Sequence, residues 1–152
     1  MISRRSLLKI GMAAPVMGLA QVGRLAAAPE IFSTNGVAIS GYDPVAYFKR
    51  GEPVDGSDTH ALRWMGSTWR FSSAENMADF EANPHAFEPQ YGGYCAFAMS
   101  KGAIANTVPE AWTIFEDKLY LNFSTGVRTI WRGDMPGNIE LANGFWPDIL
   151  NA

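Results

Sequence analysis

The chain has 152 residues, of which 47% are hydrophobic and 18% charged, and its net charge at pH 7 is −3. This length predicts one domain with a single hydrophobic core. The acidic balance argues against nucleic acid as a partner, and the single cysteine, Cys95, excludes an internal disulfide.

The amino end is typical of an export signal. It carries Arg4 and Arg5 near the start, then an apolar run over residues 10–20, then small residues as far as Ala28. The apolar run is about half of the roughly 20 residues that a membrane-spanning helix needs, which favours a signal over an anchor. The order Ser-Arg-Arg-Ser-Leu-Leu-Lys resembles the twin-arginine type of signal.

We therefore expect residues 1–28 to be a signal peptide that is removed by a cut between Ala20 and Ala28. Residues 29–152 are then a single periplasmic domain without a stable membrane anchor. Removal takes away four positive charges and no acid, so the net charge changes from −3 to about −7. This excess of acid disfavours an anionic membrane surface as well as nucleic acid. The alternative is a basic amphipathic helix that belongs to the domain itself.

The first half of the domain predicts one helix start and one hairpin. Residues 29–41 are typical of an extended segment with little core. Asp43-Pro44 indicates a turn or the start of a helix, because proline suits the first helical position. After a polar loop, apolar and polar residues alternate on either side of Gly66-Ser67, which predicts strands over His60–Met65 and Thr68–Phe71.

The clearest helix follows this hairpin. Ser72 is predicted to cap it, with Glu75 completing a capping box, and Asn83-Pro84 is predicted to end it. The next segment, residues 91–102, could be a strand or a short helix.

The remaining third predicts a second hairpin and a helical tail. The stretch AWTIFEDKLYLNF indicates two strands around residues 116–118, and residues 128–150 are predicted to be helical with a break near residues 134–137. The predicted fold class is α+β: a small antiparallel sheet of hairpins with a few packed helices.

Cys95 carries three interpretations that the residues alone leave open. It is a metal ligand, a reactive nucleophile or a small apolar residue in the core. Met99 shares a face with it only if the segment is helical. Neither histidine lies at a tight ligand spacing: His60 follows an acidic loop, and His85 follows a helix-ending Asn-Pro, where it could interact with the last carbonyls.

No local motif predicts an enzyme. The chain has no Gly-x-Ser-x-Gly, no His-Glu-x-x-His and no glycine-rich phosphate loop. Trp64, Trp69, Trp112 and Trp131 occupy strand-like positions and are predicted to be core, although they could line an apolar pocket.

Four elements, taken in order, carry a resemblance to a known family. They are GYDPVAYF, the segment WMGSTWRFSSAENMADFEANPHAF, YGGYCA and LYLN. Together they resemble the exported subgroup of the YHS domain family over nearly the whole mature chain. Simpler YHS modules, which are attached to copper-transporting ATPases and other metal-linked proteins, have cysteines in this pattern.

This sequence departs from the simpler modules at the cysteines. Ala46, Ser72 and Asn76 stand where three cysteines would be, whereas His60 falls close to the family's histidine. Metal binding through several thiolates is therefore not expected, and Cys95 belongs to the subgroup's own YGGYC element.

The resemblance implies a non-enzymatic periplasmic binding domain that binds a transition metal, copper or zinc, or a small molecule. For a metal, Cys95 would supply a thiolate and His60 an imidazole. The residues implied to fix the ligand around them are Tyr42, Asp43, Tyr91, Gly92 and Gly93.

Two alternatives belong to other functional classes. One is an interaction module without a metal, which docks on a periplasmic protein through exposed tryptophan or tyrosine side chains. The other is a small cysteine-dependent enzyme, which needs an accessible and activated Cys95 thiol.

Overall fold

The computed structural model describes residues 27–152, which form a small α+β domain, as the sequence predicts. This part of the chain contains five α-helices, one sheet of four strands and one of two. Arg4, Arg5 and nearly all of the predicted signal lie outside the described residues. At the other boundary, the Ala28 amide donates a hydrogen bond of 2.9 Å to the Leu150 carbonyl oxygen, so the two ends of the described chain lie side by side.

The larger sheet is built around one hairpin. Its strands pair in the order β1, β2, β4, β3, and their bounds are β1 Ser33–Thr34, β2 Val37–Ala38, β3 Ser57–Trp64 and β4 Ser67–Phe71. β3 and β4 form the predicted hairpin, with the turn at Met65-Gly66. β2 pairs with β4 in parallel, so this sheet is mixed and not purely antiparallel. In β4, alternate residues from Ser67 to Phe71 are buried, which places Arg70 on the other face.

The second sheet is the predicted hairpin near the carboxyl end. β5 spans Trp112–Phe115 and β6 spans Lys118–Leu121. The connecting residues, Glu116 and Asp117, both have positive φ, as a two-residue hairpin turn requires. The tail is helical with a break, as predicted: α4 covers Thr125–Arg132 and α5 covers Met135–Phe145.

Three shorter helices complete the domain: α1 Pro44–Arg50, α2 Ala74–Ala82 and α3 Ala96–Ser100. α1 begins at the predicted Asp43-Pro44 pair, with Asp43 as its N-cap. The predicted cap of α2 is wrong by one residue, because Ser73, not Ser72, accepts the Asn76 amide at 3.1 Å. The Ser72 hydroxyl instead donates to Asp43.

The core is rich in aromatic side chains. Trp69, Phe71, Phe80 and Trp131 are fully buried, and burying each such side chain contributes about 1.5–3 kcal/mol. Trp131 lies on α4 and not on a strand, contrary to prediction. Within residues 27–152, no helix is long and apolar enough to cross a membrane.

Candidate functional site

The Asp43 carboxylate is buried, and five hydrogen bonds satisfy it. Its Oδ1 accepts the Val45 amide at 2.9 Å and the Ala46 amide at 3.3 Å. Its Oδ2 accepts the Ser72 amide at 2.8 Å, the Ser72 hydroxyl at 2.7 Å and the Asn76 side-chain amide at 2.8 Å. A carboxylate has about four lone-pair positions, so these donors leave none for a metal or ligand. Asp43 therefore joins the start of α1 to the start of α2.

The three positions that the resemblance assigns to missing cysteines meet at this carboxylate. Ala46, Ser72 and Asn76 each contribute a donor to Asp43. The donors are the backbone amide of Ala46, the hydroxyl of Ser72 and the side-chain amide of Asn76, so the partners of the carboxylate are all neutral groups.

The Cys95 sulfur is enclosed and has its own partners within the chain. Cys95 is 1% exposed, and its Sγ accepts the Phe123 amide at 3.2 Å and the Ala98 amide at 3.5 Å. The Asn122 Oδ1 atom lies 3.5 Å from Sγ and accepts the thiol proton, while it also accepts the Phe97 amide at 3.0 Å. Cys95 is thus the N-cap of α3 and links that helix to the residues after β6.

A zinc or copper ion does not fit the surroundings of Cys95. His60 lies on the edge strand β3, and none of the hydrogen-bond contacts of the Cys95 sulfur involves it. Across residues 27–152, no three His, Cys, Asp or Glu side chains lie close enough together to hold a metal ion. Such sites need several converging donors.

Tyr42 lies apart from the Asp43 carboxylate's hydrogen bonds. Its backbone forms an isolated antiparallel bridge with Asp55. Burial raises the pKa of the Tyr42 phenol, and the nearby charges of Asp55 and Glu110 raise it further. The phenol is therefore a neutral group at neutral pH.

The Tyr91-Gly92-Gly93 turn packs against the amino-terminal segment. The φ angles of these residues are 57°, 62° and 88°, a left-handed run that glycine adopts without strain. The Gly92 carbonyl accepts the Phe32 amide at 2.8 Å, and a Cβ on Gly92 would overlap the Glu30 carbonyl oxygen. A Cβ on Gly93 would meet Ile39. These glycines are expected to let a ligand approach the backbone closely. In the structure it is mainly other residues of the chain that approach them.

A cleft of about 240 Å³ opens beside this turn. We call it the His85 cleft, and its lining residues are Glu30, Ile31, Met65, His85, Glu88, Pro89, Gln90, Tyr91, Gly92, Asn143 and Trp146. It brings together the amino-terminal segment, the residues after α2 and the end of α5. Of the implied ligand-fixing residues, Tyr91 and Gly92 line it, whereas Tyr42, Asp43 and Gly93 do not.

Some polar groups of the His85 cleft contact one another. The His85 Nδ1 atom lies 3.1 Å from a Glu88 carboxylate oxygen, and the His85 ring packs edge-on against Trp64. The Tyr91 hydroxyl donates to the Asn143 side-chain oxygen at 3.0 Å. Burial raises the pKa of the Tyr91 phenol, with a smaller contribution from Tyr120, so this hydroxyl remains a donor at neutral pH.

His85 and Glu88 line the cleft, although the sequence alone does not select them as site residues. His85, which could interact with the last carbonyls of α2, lies in a 3-10 turn over Pro84–Ala86 and hydrogen-bonds Glu88. The three-residue spacing of an imidazole and a carboxylate after Asn83-Pro84 was the available signal. Trp146 and Asn143 carried no such signal, because only the fold brings them to this position.

No known family, no curated protein and no solved structure matches this chain.

Proposed function

We propose that this chain is an exported, non-enzymatic binding domain of YHS type, which holds a small organic cation in the His85 cleft. The observation that carries the proposal is the charge of the cleft: Glu30 and Glu88 line it, and no lysine or arginine is among its described lining residues. The meeting of Ala46, Ser72 and Asn76 at Asp43 supports the YHS assignment.

The chemistry of the cleft favours an amine over an anion or a neutral apolar molecule. The carboxylates attract positive charge, and Tyr91 and Trp146 supply aromatic surface, which favours a cation further. The volume of about 240 Å³ lies below the range of about 300–1,000 Å³ that is usual for drug-sized ligands. A compact aliphatic amine therefore suits the space.

The non-enzymatic part of this proposal rests on the thiol, because a cysteine-dependent enzyme needs an accessible one. The Cys95 thiol is buried in contact with Asn122, and the described residues that line the cleft include no serine, threonine or cysteine. The His85 imidazole hydrogen-bonds the Glu88 carboxylate, and we assign this pair the role of orienting a ligand.

The interaction-module alternative has less support. It relied on exposed tryptophan or tyrosine side chains, and none of those in residues 27–152 is exposed. The exposed large apolar side chains near and on the last two helices are Phe123, Ile130, Leu141 and Phe145.

The test is calorimetric titration of the full chain with n-butylammonium chloride, n-butanol and sodium butyrate. These probes share an alkyl chain and differ in charge. We expect saturable binding of the cation only, and Glu88→Gln to weaken it about tenfold or more, because a charge-assisted hydrogen bond contributes about 1.5–3 kcal/mol. Glu81→Gln, on the exposed side of α2, is the matched control and should bind as the parent does.

Two results would overturn this proposal. Butanol binding as tightly as butylammonium would show that charge is not recognised. Zinc or cupric chloride binding that His85→Ala abolishes, with no binding of butylammonium to the parent, would assign the cleft to a metal instead.

A further inference from the structure

Arg70 on β4 is an unusual arginine in this structure. Arg70 forms no hydrogen bond and no ion pair among residues 27–152, and its Nε atom is shielded from solvent although the residue as a whole is partly exposed. The other four arginines of this part all have acceptors, although the Nε atom of Arg128 is also shielded without a partner. Arg50 pairs with Glu52, Arg63 bonds the Gly66 carbonyl, and Arg128 and Arg132 both bond the Trp112 carbonyl.

The rest of the chain supplies no carboxylate to Arg70. Residues 1–26 contain no aspartate or glutamate. A shielded N–H donor without a partner is costly, and native proteins usually satisfy such a group with a water or an ion. The Nε–H group of Arg70 therefore calls for an acceptor from outside the chain.

The surroundings of Arg70 have the shape and polarity of an anion site. Arg70 lines a cleft of about 350 Å³ together with Thr34, Asn35, Val37 and Ser40. The hydroxyls and the amide of these residues are hydrogen-bond donors, and no acidic residue is in this lining. Thr34, Asn35 and Ser40 are exposed, so the cleft is open to solvent.

The fold holds the guanidinium in this position. Trp69 and Phe71 point into the core, so Arg70 lies on the opposite face of β4, and β2 pairs alongside. The Arg70 Nη1 atom would lie 3.7 Å from a Cβ at Gly41, where the backbone is left-handed with a φ of 81°. The guanidinium thus lies within van der Waals distance of the Gly41 backbone position.

We propose that this Arg70 cleft binds a small oxyanion, the carboxylate or phosphate group of a small ligand. A guanidinium presents two parallel N–H donors that match the two oxygens of either group. The cleft shares no lining residue with the His85 cleft, so the site is independent of the proposed function.

The direct test observes the Arg70 Nε–Hε signal by NMR while inorganic phosphate or sodium acetate is added to the full chain at constant ionic strength, with chloride as the reference salt. We expect a saturable shift of this signal. The arm that saturates at the lower concentration identifies phosphate or carboxylate as the group recognised. A response that is linear and equal to that of chloride in both arms would overturn the proposal.

Two pairs of variants separate binding from folding. Arg70→Gln should abolish saturation measured on backbone amides of Thr34 and Ser40, whereas Arg63→Gln, on the adjacent strand, should retain it. If Arg70→Gln does not fold, Thr34→Glu serves instead, because it places a competing carboxylate at the exposed rim. Thr34→Glu should abolish the phosphate and acetate response and Thr34→Gln should keep it; an unchanged response in Thr34→Glu would contradict the site.

Discussion

At the scale of single residues, Asp43 and Cys95 are side chains that can either bind a ligand or form hydrogen bonds within the chain. Both side chains are buried, and both have donors or acceptors of the chain itself at hydrogen-bond distance. The sequence identifies them as unusual polar residues among apolar neighbours. It cannot tell which partners they meet, because Ser72 is 29 positions from Asp43 and Phe123 is 28 positions from Cys95.

We expect Cys95→Ala to destabilise the domain and Cys95→Ser to do so less. Alanine leaves the Phe123 and Ala98 amides without an acceptor, and a buried unsatisfied donor costs about 1–3 kcal/mol. Serine retains an acceptor at the N-cap, where it is favoured. Urea denaturation of the three proteins measures the difference.

Alkylation gives an independent check of the same residue. Iodoacetamide should modify Cys95 slowly in the folded protein and quickly in urea, because the thiol is 1% exposed. Fast alkylation of the folded state, or equal stability of the alanine and serine variants, would contradict a structural role.

At the scale of elements, the hairpins and helices with strong local signals were predicted and the segment around Tyr91 was not. Alternating residues define β4, two apolar runs around Glu116-Asp117 define β5 and β6, and Asp43-Pro44 marks the start of α1. Residues 90–93 instead form a left-handed 3-10 turn. Its conformation is set by packing against Glu30 and Ile39, far away in sequence, so no local pattern could indicate it.

The candidate site could be predicted only in part for the same reason. Tyr91 and Gly92, which the YGGYC element indicates, line the His85 cleft. The cleft also needs Glu30 from the amino-terminal segment and Trp146 from beyond α5. A single sequence does not bring these three distant segments together without the topology.

We expect Asp43→Asn to loosen the junction between α1 and α2. The substitution turns one acceptor oxygen into a donor that faces the Ser72 and Asn76 donors, and hydrogen bonds to a charged group contribute about 1.5–3 kcal/mol each. A loss of about 3 kcal/mol or more in the free energy of unfolding follows. Hydrogen exchange should show the largest loss of protection at the first amides of both helices.

Asp58→Asn is the matched control for this variant, because Asp58 is an exposed carboxylate on β3. Its free energy of unfolding should change by no more than about 0.5 kcal/mol. If Asp43→Asn were equally mild, the carboxylate would not be the group that holds the two helices together.

At the scale of the whole molecule, all five tyrosines have a raised pKa in the folded state. Burial is the largest cause in each of them: Tyr42, Tyr47, Tyr91, Tyr94 and Tyr120. Several also donate their phenol proton inside the domain, as Tyr47 does to the Pro109 carbonyl at 3.0 Å and Tyr94 to the Pro29 carbonyl at 2.7 Å. Hydrogen bonds from neutral phenols therefore connect the aromatic core to the loops.

This predicts that the domain loses stability above about pH 10, the ordinary pKa of tyrosine. There the unfolded chain releases phenol protons that the folded chain keeps, so the folded state binds more protons and the free energy of unfolding falls as pH rises. The slope is about 1.4 kcal/mol per pH unit for each such proton. Urea denaturation between pH 7 and pH 11.5, with phenolate absorbance at 295 nm, should show phenolate appearing together with unfolding.

Tyr94→Phe should be slightly less stable at pH 7, but its stability should decline less steeply at alkaline pH. If all five phenols ionised near pH 10 while the domain remained folded, phenol ionisation would not be coupled to unfolding.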